Sequence, residues 1–227
     1  LHVSALPAMA CADWLIDRVE TVIAEQGRCR IALPGGTTPI PLLDRLAEKL
    51  PAELYAGLAV TWIDDRHVPL TDPESNFGLA QAHWFAKAPA PVNALPMWRG
   101  GDLLADRNAF AQAFAARFDS ALDVVVVGLG EDGHVASLFP GDLTAELANG
   151  AVLAIGHAPK PPAERLTLTL PVLSGASYLA LLATGAAKNA ALRRVAERDP
   201  TLPASHLNPR GEYTWFLDPP AAKGLNL

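Results

Sequence analysis

Two residues suited to acid–base catalysis, Asp132 and His134, lie in a glycine-rich turn that follows the valine run Val124 to Val127. Four consecutive valines are typical of a strand buried on both faces, and the glycines after them permit the tight backbone of a strand end. Histidine titrates near neutral pH, and a carboxylate two residues earlier can orient or polarise its imidazole. The alternative is that this segment is only a turn and that His134 is a hydrogen-bonded structural residue.

A second glycine-rich turn, Gly35-Gly36-Thr37-Thr38, follows a predicted strand and precedes Pro39, a residue typical of a helix start. Backbone N–H groups, two hydroxyl groups and a helix N-terminus then meet at one point, which suits a phosphate group. The turn has neither the lysine of a Walker loop nor a GxGxxG pattern, so it does not indicate nucleotide binding. A Gly-Gly turn with a threonine cap is the alternative. The position at a strand's carboxyl end favours the phosphate site.

A third polar segment, Asp64-Asp65-Arg66-His67, also follows a predicted strand. Arg66 can clamp an anionic oxygen, and Asp64 or Asp65 can order a base or a water molecule. One alternative is surface charge in a loop. Another is a metal site made by Asp64, Asp65 and His67, but the spacing matches no recognised ligand pattern and Arg66 would oppose a cation.

Three further polar residues complete the candidate site. Asn76 precedes a predicted helix, where Ser75-Asn76 is either its cap or a group that holds a sugar hydroxyl. Arg165 opens a predicted strand, and Lys188 lies near a helix N-terminus. Each cation alone is more often a solvated surface charge. Together with the Gly-Gly-Thr-Thr turn, they could neutralise a phosphate without making the whole protein basic.

Composition narrows the class of protein. The 227 residues are 50% hydrophobic, which predicts one α/β domain over residues 1–227. The formal charge of -6 argues against a general nucleic-acid or membrane-surface binder. Cys11 and Cys29 are too few and too far apart for a disulfide framework or a CxxC metal site, so we expect core cysteines in a reducing compartment. Because no apolar run is long enough for a membrane span, we expect a soluble cytoplasmic protein.

Strand and helix patterns alternate along the chain. The predicted helices are Pro7–Gln26, Pro39–Leu50, Phe77–Phe85, Leu103–Phe118 and Ala186–Arg198. The predicted strands are Arg30–Leu33, Leu58–Ile63, Leu122–Val127, Ala151–Ile155, Arg165–Leu170, Tyr178–Ala183 and Tyr213–Leu217, with proline-rich loops at Ala88–Pro96 and Ala158–Pro162. This order predicts a doubly wound, mostly parallel sheet with helices on both faces and ligands beyond the carboxyl ends of its strands.

Five segments carry a family resemblance: LPGGTTP, WIDDRHVP followed by SNFGLA, GLGEDGHVASLFPG, ERLTLTLPVLSGA and TGAAKNAAL. In this order, over nearly the whole chain, they resemble the 6-phosphogluconolactonase family. The resemblance implies hydrolysis of 6-phospho-D-glucono-1,5-lactone in the pentose phosphate pathway without a metal or organic cofactor. It also implies a monomer and a fold shared with glucosamine-6-phosphate deaminases and ribose-5-phosphate isomerases.

The deaminases are the main rival, since they share the phosphate turn, the acidic pair and the Asp-Gly-His turn. Their pattern has a glutamate five residues after the histidine, where it assists sugar-ring opening. Here that position is Phe139, which favours the lactonase, as does Arg66. Asp65 stands where the family usually has glutamate, and Val135 where threonine is frequent. A non-catalytic sugar-phosphate-binding domain is the third hypothesis, and we would expect it to lack Asp132 and His134 while keeping the phosphate turn.

On this reading, His134 takes a proton from the attacking water and returns one to the departing ring oxygen. Asp132 orients the imidazole, with Asp64 a second candidate for that role. Arg66 and backbone N–H groups of Gly130–Gly133 are candidates to stabilise the carbonyl oxyanion. The predicted phosphate ligands are Gly35, Gly36, Thr37, Thr38, Arg165 and Lys188, with Asn76 as a further substrate contact. Ser137 lies in no GxSxG motif and is not expected to be a nucleophile.

Overall fold

The computed structural model describes residues 1–141 and 150–225. Its strands are β1 (His2–Val3), β2 (Cys29–Leu33), β3 (Leu58–Trp62), β4 (Asp64–Arg66), β5 (Asn93–Ala94), β6 (Val124–Gly128), β7 (Val152–Ile155), β8 (Arg165–Leu168), β9 (Tyr178–Ala183) and β10 (Glu212–Leu217). Its α-helices are α1 (Pro7–Gln26), α2 (Ile40–Lys49), α3 (Asn76–His83), α4 (Leu103–Phe118), α5 (Leu170–Ser174), α6 (Asn189–Ala196) and α7 (Pro219–Ala222). Short 3₁₀ helices cover Ala52–Gly57, Phe85–Lys87, Ala186–Lys188 and Pro203–His206.

The larger sheet has seven strands in the order β1-β10-β9-β6-β2-β3-β5, and all of its strand pairs are parallel. Strand β6 is the central one, and its four valines are fully buried. A strand with no exposed face needs side chains that are apolar throughout, which the valine run supplies. The predicted α/β fold with a mostly parallel sheet is confirmed.

Helix α1 shows how local sequence sets an element that covers this sheet. Pro7 stands in its first turn, and Gly27 ends it with φ of 75°, so that the Gly27 N–H donates to Ile23 O. The buried face includes Cys11, which has no exposed surface, as predicted. These bounds match the predicted ones. Helix α4 also has its predicted bounds, and it buries a phenylalanine at every fourth position: Phe110, Phe114 and Phe118.

A second sheet, absent from the predictions, has three antiparallel strands in the order β4-β8-β7. The chain passes from one sheet to the other at Ile63, whose N–H donates to Leu33 O and whose carbonyl accepts from Leu168 N. Strand β4 was not predicted because Asp64, Asp65 and Arg66 show no apolar alternation. Its partner β8 lies about a hundred residues away, so only the tertiary fold reveals the pairing.

Four neighbouring strands of the larger sheet end at one edge. In the strand register Leu33 of β2 is opposite Trp62 of β3, and Gly128 of β6 is opposite Leu182 of β9. Segments that follow parallel strands meet at such an edge, which is where open α/β sheets bind ligands. Within residues 1–141 and 150–225, no helix has the length and apolar character needed to cross a membrane.

Candidate active site

A cavity of about 200 Å³ lies at this edge of the larger sheet. Its walls come from the segments after β2, β3, β6 and β9, together with Asn76 at the start of α3 and Arg165 at the start of β8. The predicted site residues among its lining are Gly35, Gly36, Thr37, Thr38, Asp64, Arg66, Asn76, His134, Arg165 and Lys188. Asp132 is outside the lining and reaches the cavity through its contact with His134.

His134 and Asp132 form a hydrogen-bonded pair. Asp132 Oδ1 lies 2.6 Å from His134 Nδ1 and also accepts from the His134 backbone N–H at 3.2 Å. Burial acts to raise the pKa of Asp132, but the hydrogen bond and charge of His134 outweigh it and hold that pKa below its ordinary value. Because an ionised carboxylate only accepts hydrogen bonds, Nδ1 carries the proton of the neutral ring. Nε2 is then the atom that can accept a proton.

Two contacts fix the ring of His134 from other directions. A side chain at Gly130 would collide with the pair, since a Cβ there would lie 2.0 Å from His134 Nδ1 and 2.4 Å from Asp132 Oδ1. The turn therefore needs glycine at 130 for the pair to pack over its backbone. The ring of Phe139 contacts the imidazole with centroids 4.9 Å apart.

The turn Gly35–Thr38 is joined to strand β4 by Asn76. Asn76 Nδ2 donates to Asp64 O at 2.8 Å, and its Oδ1 is buried without a hydrogen-bond partner among the described residues. A Cβ on Gly35 would lie 1.7 Å from that oxygen, so the turn and the amide are in direct contact. Nδ2 has a second N–H group, so a contact with a sugar hydroxyl stays a prediction for either atom of the amide. Ser75 Oγ caps α3 by accepting from Gly78 N.

The two members of the acidic pair face different surroundings. Asp64 lines the cavity, and its Oδ2 accepts from Ser137 Oγ at 2.7 Å. Asp65 is turned away from the cavity, to the N-terminus of α3, where it accepts from the backbone N–H groups of Arg66, Asn76 and Phe77. Burial raises the pKa of Asp65 to about 7, while those three donors act in the opposite direction. Of these two carboxylates, only Asp64 is placed to contact a molecule bound in the cavity.

Three cations line the cavity, and each has donors to spare. Arg66 Nη1 donates to Glu74 O and Oε2, which leaves Nε and Nη2 for an anionic oxygen. Arg165 donates from Nε and Nη2 to two carbonyls of the proline-rich loop, at Pro162 and Lys160, and burial lowers its pKa. Lys188 Nζ lies 4.0 Å from Glu131 Oε1. The cavity therefore concentrates positive charge in a protein of net charge -6.

The metal alternative for Asp64, Asp65 and His67 is not supported by their geometry. Asp64 accepts from Ser137, Asp65 caps α3, and His67 pairs with Asp106, so the three side chains do not converge. Among the residues that the structure describes, no group of three or more His, Cys, Asp or Glu side chains could hold a metal ion.

The sequence matches the family described as "Glucosamine-6-phosphate isomerases/6-phosphogluconolactonase" over residues 4–215. The chain belongs to this family. A 6-phosphogluconolactonase of Rattus norvegicus is 36% identical over 218 residues, which cover 89% of this chain and 82% of the rat protein. One of Synechocystis sp. is 36% identical over 219 residues, which cover 92% and 89% of the two chains.

A solved structure, "6-phosphogluconolactonase from Trypanosoma cruzi", superposes on the whole chain and on 96% of its own length with a TM-score of 0.86 and 26% identity. As in other open α/β sheets, this member of the glucosamine-6-phosphate isomerase/6-phosphogluconolactonase family has its cavity at the carboxyl edge of the strands. The sequence and fold comparisons thus agree with the resemblance carried by the motifs.

Two residues of the cavity and its surroundings, Thr184 and Ser137, were not among the site residues predicted from the sequence. Thr184 lines the cavity at the end of β9, and its position in Ala183-Thr184-Gly185 was the available signal. Ser137 was not expected to be a nucleophile, and it has no exposed surface. Its backbone N–H donates to Thr167 Oγ1, and its hydroxyl donates to Asp64 Oδ2. The turn that carries His134 therefore also holds the Asp64 carboxylate in place. No local pattern indicates that link.

Proposed function

We propose that this protein is a 6-phosphogluconolactonase, a carboxylic ester hydrolase that converts 6-phospho-D-glucono-1,5-lactone to 6-phosphogluconate in the pentose phosphate pathway. The observation that carries the proposal is a shared cavity. The Gly35–Thr38 turn and Lys188, which suit a phosphate, line the same space as His134, which can move a proton. Relatives named 6-phosphogluconolactonase, 36% identical over most of the chain, support the same activity.

The surroundings of His134 favour the lactonase over an aminosugar deaminase. Phe139 packs on the imidazole at the position where the deaminase pattern has a glutamate. A phenyl ring cannot exchange protons with a substrate, so it cannot assist the opening of a sugar ring. A lactone needs no such step, because its reactive carbonyl is already present when it binds.

In the proposed reaction, His134 Nε2 takes a proton from a water molecule as the water oxygen attacks the lactone carbonyl. The tetrahedral intermediate then collapses, the bond to the ring oxygen breaks, and the imidazolium gives its proton to that oxygen. Asp132 holds Nδ1 and stabilises the imidazolium. Ser137 occupies only one oxygen of Asp64, so the other can orient the attacking water.

Arg66 is the donor that we assign to the carbonyl oxyanion. The backbone N–H of Gly130 donates to His134 O, and that of Gly133 donates to Gly130 O, so these two predicted donors are used within the turn. Arg66 has free N–H groups and lines the cavity. A cation with fixed donors stabilises charge that develops in the transition state without reorganising at the moment of reaction.

The phosphate-binding half of the cavity positions the carbonyl. We assign the 6-phosphate to Gly35, Gly36, Thr37, Thr38, Arg165 and Lys188. Binding energy at this remote group places the carbonyl near His134 and Asp64, which lowers the entropic cost of reaction. A lactone without the phosphate is therefore expected to react more slowly.

The test is hydrolysis of freshly made 6-phosphogluconolactone, with the product coupled to 6-phosphogluconate dehydrogenase and spontaneous opening subtracted. We expect rapid turnover that is equal with and without EDTA, because every assigned role belongs to a protein group. Turnover abolished by EDTA would contradict the metal-free mechanism. No acceleration over buffer would contradict the proposed function, and release of ammonia from glucosamine 6-phosphate would then indicate the deaminase.

A further inference from the structure

His67 is the residue of the Asp64–His67 segment that the proposed mechanism does not use. It follows Arg66 directly, but it does not line the cavity, and only 8% of its side chain is exposed. Its backbone N–H donates to Glu164 O at 2.9 Å and so continues the pairing of β4 with β8 by one residue. The imidazole of His67 therefore lies outside the cavity, next to the end of strand β4, which carries Arg66.

Both ring nitrogens of His67 face carboxylates. Nε2 lies 3.0 Å from Asp106 Oδ2, and Nδ1 lies 3.4 Å from Glu164 Oε2. Asp106, which is almost fully buried, also accepts from the backbone N–H groups of Arg99 and Gly101. Burial acts to raise the pKa of Asp106, but these hydrogen bonds hold it below its ordinary value, so the carboxylate is ionised and only accepts, and Nε2 of His67 is the donor.

The His67–Asp106 contact connects the end of strand β4 to helix α4. Strand β4 is an edge strand, so its backbone pairs with β8 on one side only. It has three residues, and Arg66 is the last of them. Asp106 lies in the first turn of α4, and the hydrogen bond to it ties the end of β4 to that helix and to the loop before it.

We propose that His67 and Asp106 are a positioning pair for Arg66. The hydrogen bond from His67 to Asp106 holds the backbone directly after Arg66, and Glu74 holds the Arg66 guanidinium. Arg66 therefore contacts the carbonyl oxygen of the lactone in one orientation. The inference rests on the proposed lactonase function. It assigns His67 no contact with substrate, and its effect on catalysis passes through Arg66.

The experiment compares His67→Leu, which removes the donor, with His67→Gln, whose amide N–H can still reach Asp106. We expect His67→Leu to lower kcat about ten- to hundredfold with little change in KM, because small displacements of a positioned group have effects of this size. His67→Gln should recover most of kcat. The matched control is His83→Leu, since His83 also pairs with an aspartate, Asp44, but neither lines the cavity. It should leave kcat unchanged.

A double-mutant cycle separates positioning from a general loss of structure. In an Arg66→Met background, adding His67→Leu should change kcat less than about twofold, because residues that act through one group are not additive. An equal fold loss in both backgrounds would overturn the positioning pair, as would a wild-type kcat in His67→Leu at equal folded fraction.

Hydrogen exchange gives a readout that does not depend on lactonase activity. We expect faster amide exchange over residues 64–67 in His67→Leu than in the wild type, His67→Gln or His83→Leu, because β4 loses its tie to α4. Unchanged exchange there would overturn the positioning pair even if the wild type were inactive. An inactive wild type with accelerated exchange would instead contradict the proposed function alone.

Discussion

Two histidine–aspartate pairs in this protein join the same side-chain types in contrasting surroundings. In the pair at the cavity, His134 and Asp132 are two residues apart in sequence, and their side chains are 22% and 48% exposed. In the pair behind β4, His67 and Asp106 are 39 residues apart and only 8% and 3% exposed. The exposed pair leaves Nε2 without a protein partner among the described residues, whereas the buried pair engages both ring nitrogens.

This difference shows that a histidine beside an aspartate is not by itself a sign of proton transfer. What matters is whether one ring nitrogen faces space that a substrate can enter. His134 meets that condition, so its pair suits acid–base chemistry. His67 does not, so its pair is suited to holding the backbone at the end of β4 in place. Substitutions at the exposed pair should accordingly affect rate alone, whereas substitutions at the buried pair should affect stability and, through Arg66, rate as well.

The largest effect is expected at the exposed pair. His134→Ala should lower kcat by about a hundredfold or more, because positioned general bases contribute at least that much. Its melting temperature should stay close to that of the wild type, since neither side chain of the pair is buried. Steady-state kinetics and thermal unfolding of the same preparation measure both. A kcat loss below about tenfold would contradict the general-base assignment.

Alanine substitutions at two glycines would disturb the two histidine–aspartate pairs without replacing any residue of either pair. Gly130→Ala places a Cβ 2.0 Å from His134 Nδ1, and Gly101→Ala places one 2.8 Å from Asp106 Oδ1. We expect Gly130→Ala to lower kcat at least about tenfold, because displacing a catalytic group is costly. Gly101→Ala should destabilise the fold, by about 1–3 kcal/mol as overpacking does, and should lower kcat less than Gly130→Ala, because Asp106 acts on the reaction only through His67 and Arg66. The control is Gly156→Ala, whose Cβ meets no atom within 4 Å.

Thermal unfolding and kcat together decide whether the comparison holds. If Gly130→Ala lost only stability and Gly101→Ala lost only kcat, the division of roles between the two pairs would be wrong. If Gly156→Ala changed either quantity, the added methyl group itself would be responsible.

The two cations assigned to the phosphate, Lys188 and Arg165, should affect binding more than rate, in contrast to the exposed pair. Lys188→Ala and Arg165→Ala are each expected to raise KM for 6-phosphogluconolactone about tenfold, because each loses a charge-assisted contact to phosphate. Arg165→Ala should also lower stability, since its buried side chain bonds to two carbonyls of the proline-rich loop. A lactone without phosphate is the control substrate. Equal losses on both lactones would contradict the phosphate assignment.

The smallest expected effect is on how the stability of the fold changes in acid when Asp106 or Asp132 is substituted. Burial opposes the ionised form, but three hydrogen-bond donors hold the pKa of Asp106 below its ordinary value, and His134 does the same for Asp132. A carboxyl group with a lowered pKa in the folded state stabilises the fold above its ordinary pKa. That contribution is lost as the pH falls through the lower, folded value.

We therefore expect the melting temperature of Asp106→Asn to lie furthest below that of the wild type near neutral pH, with the gap narrowing below about pH 4. Asp132→Asn should change in the same direction by less, because Asp132 is half exposed and its charge is screened. A gap that widened in acid, or equal gaps for the two variants, would contradict the burial argument.

Features with local causes were predictable from the sequence. Helix α1 and strand β9 have the predicted bounds, because caps, periodicity and apolar runs lie within the elements themselves. The meeting of the Gly35–Thr38 turn with His134 was also predictable, since both follow strands of one parallel sheet. The sequence was therefore sufficient to place the predicted phosphate-binding and proton-transfer residues at one cavity.

Features with distant causes were not predictable. Strand β4 is polar and short, and it exists because β8 pairs with it. Asp106 gave no signal, because an aspartate early in a helix is explained by the helix itself, and its partner His67 is 39 residues away. The hydrogen bond from Ser137 to Asp64 spans 73 residues in the same way. Each of these contacts became visible only with the complete fold.

The burial of Ser137 has a consequence for chemical inhibition. Many ester hydrolases are inactivated by phosphonates and sulfonyl fluorides, which form a bond to an activated serine at the reacting centre. Here the hydroxyl of Ser137 has no exposed surface and is occupied by Asp64. Over the described part of the chain, the cavity lining contains neither serine nor cysteine. Reagents that need an activated serine or cysteine should therefore leave this ester hydrolase active.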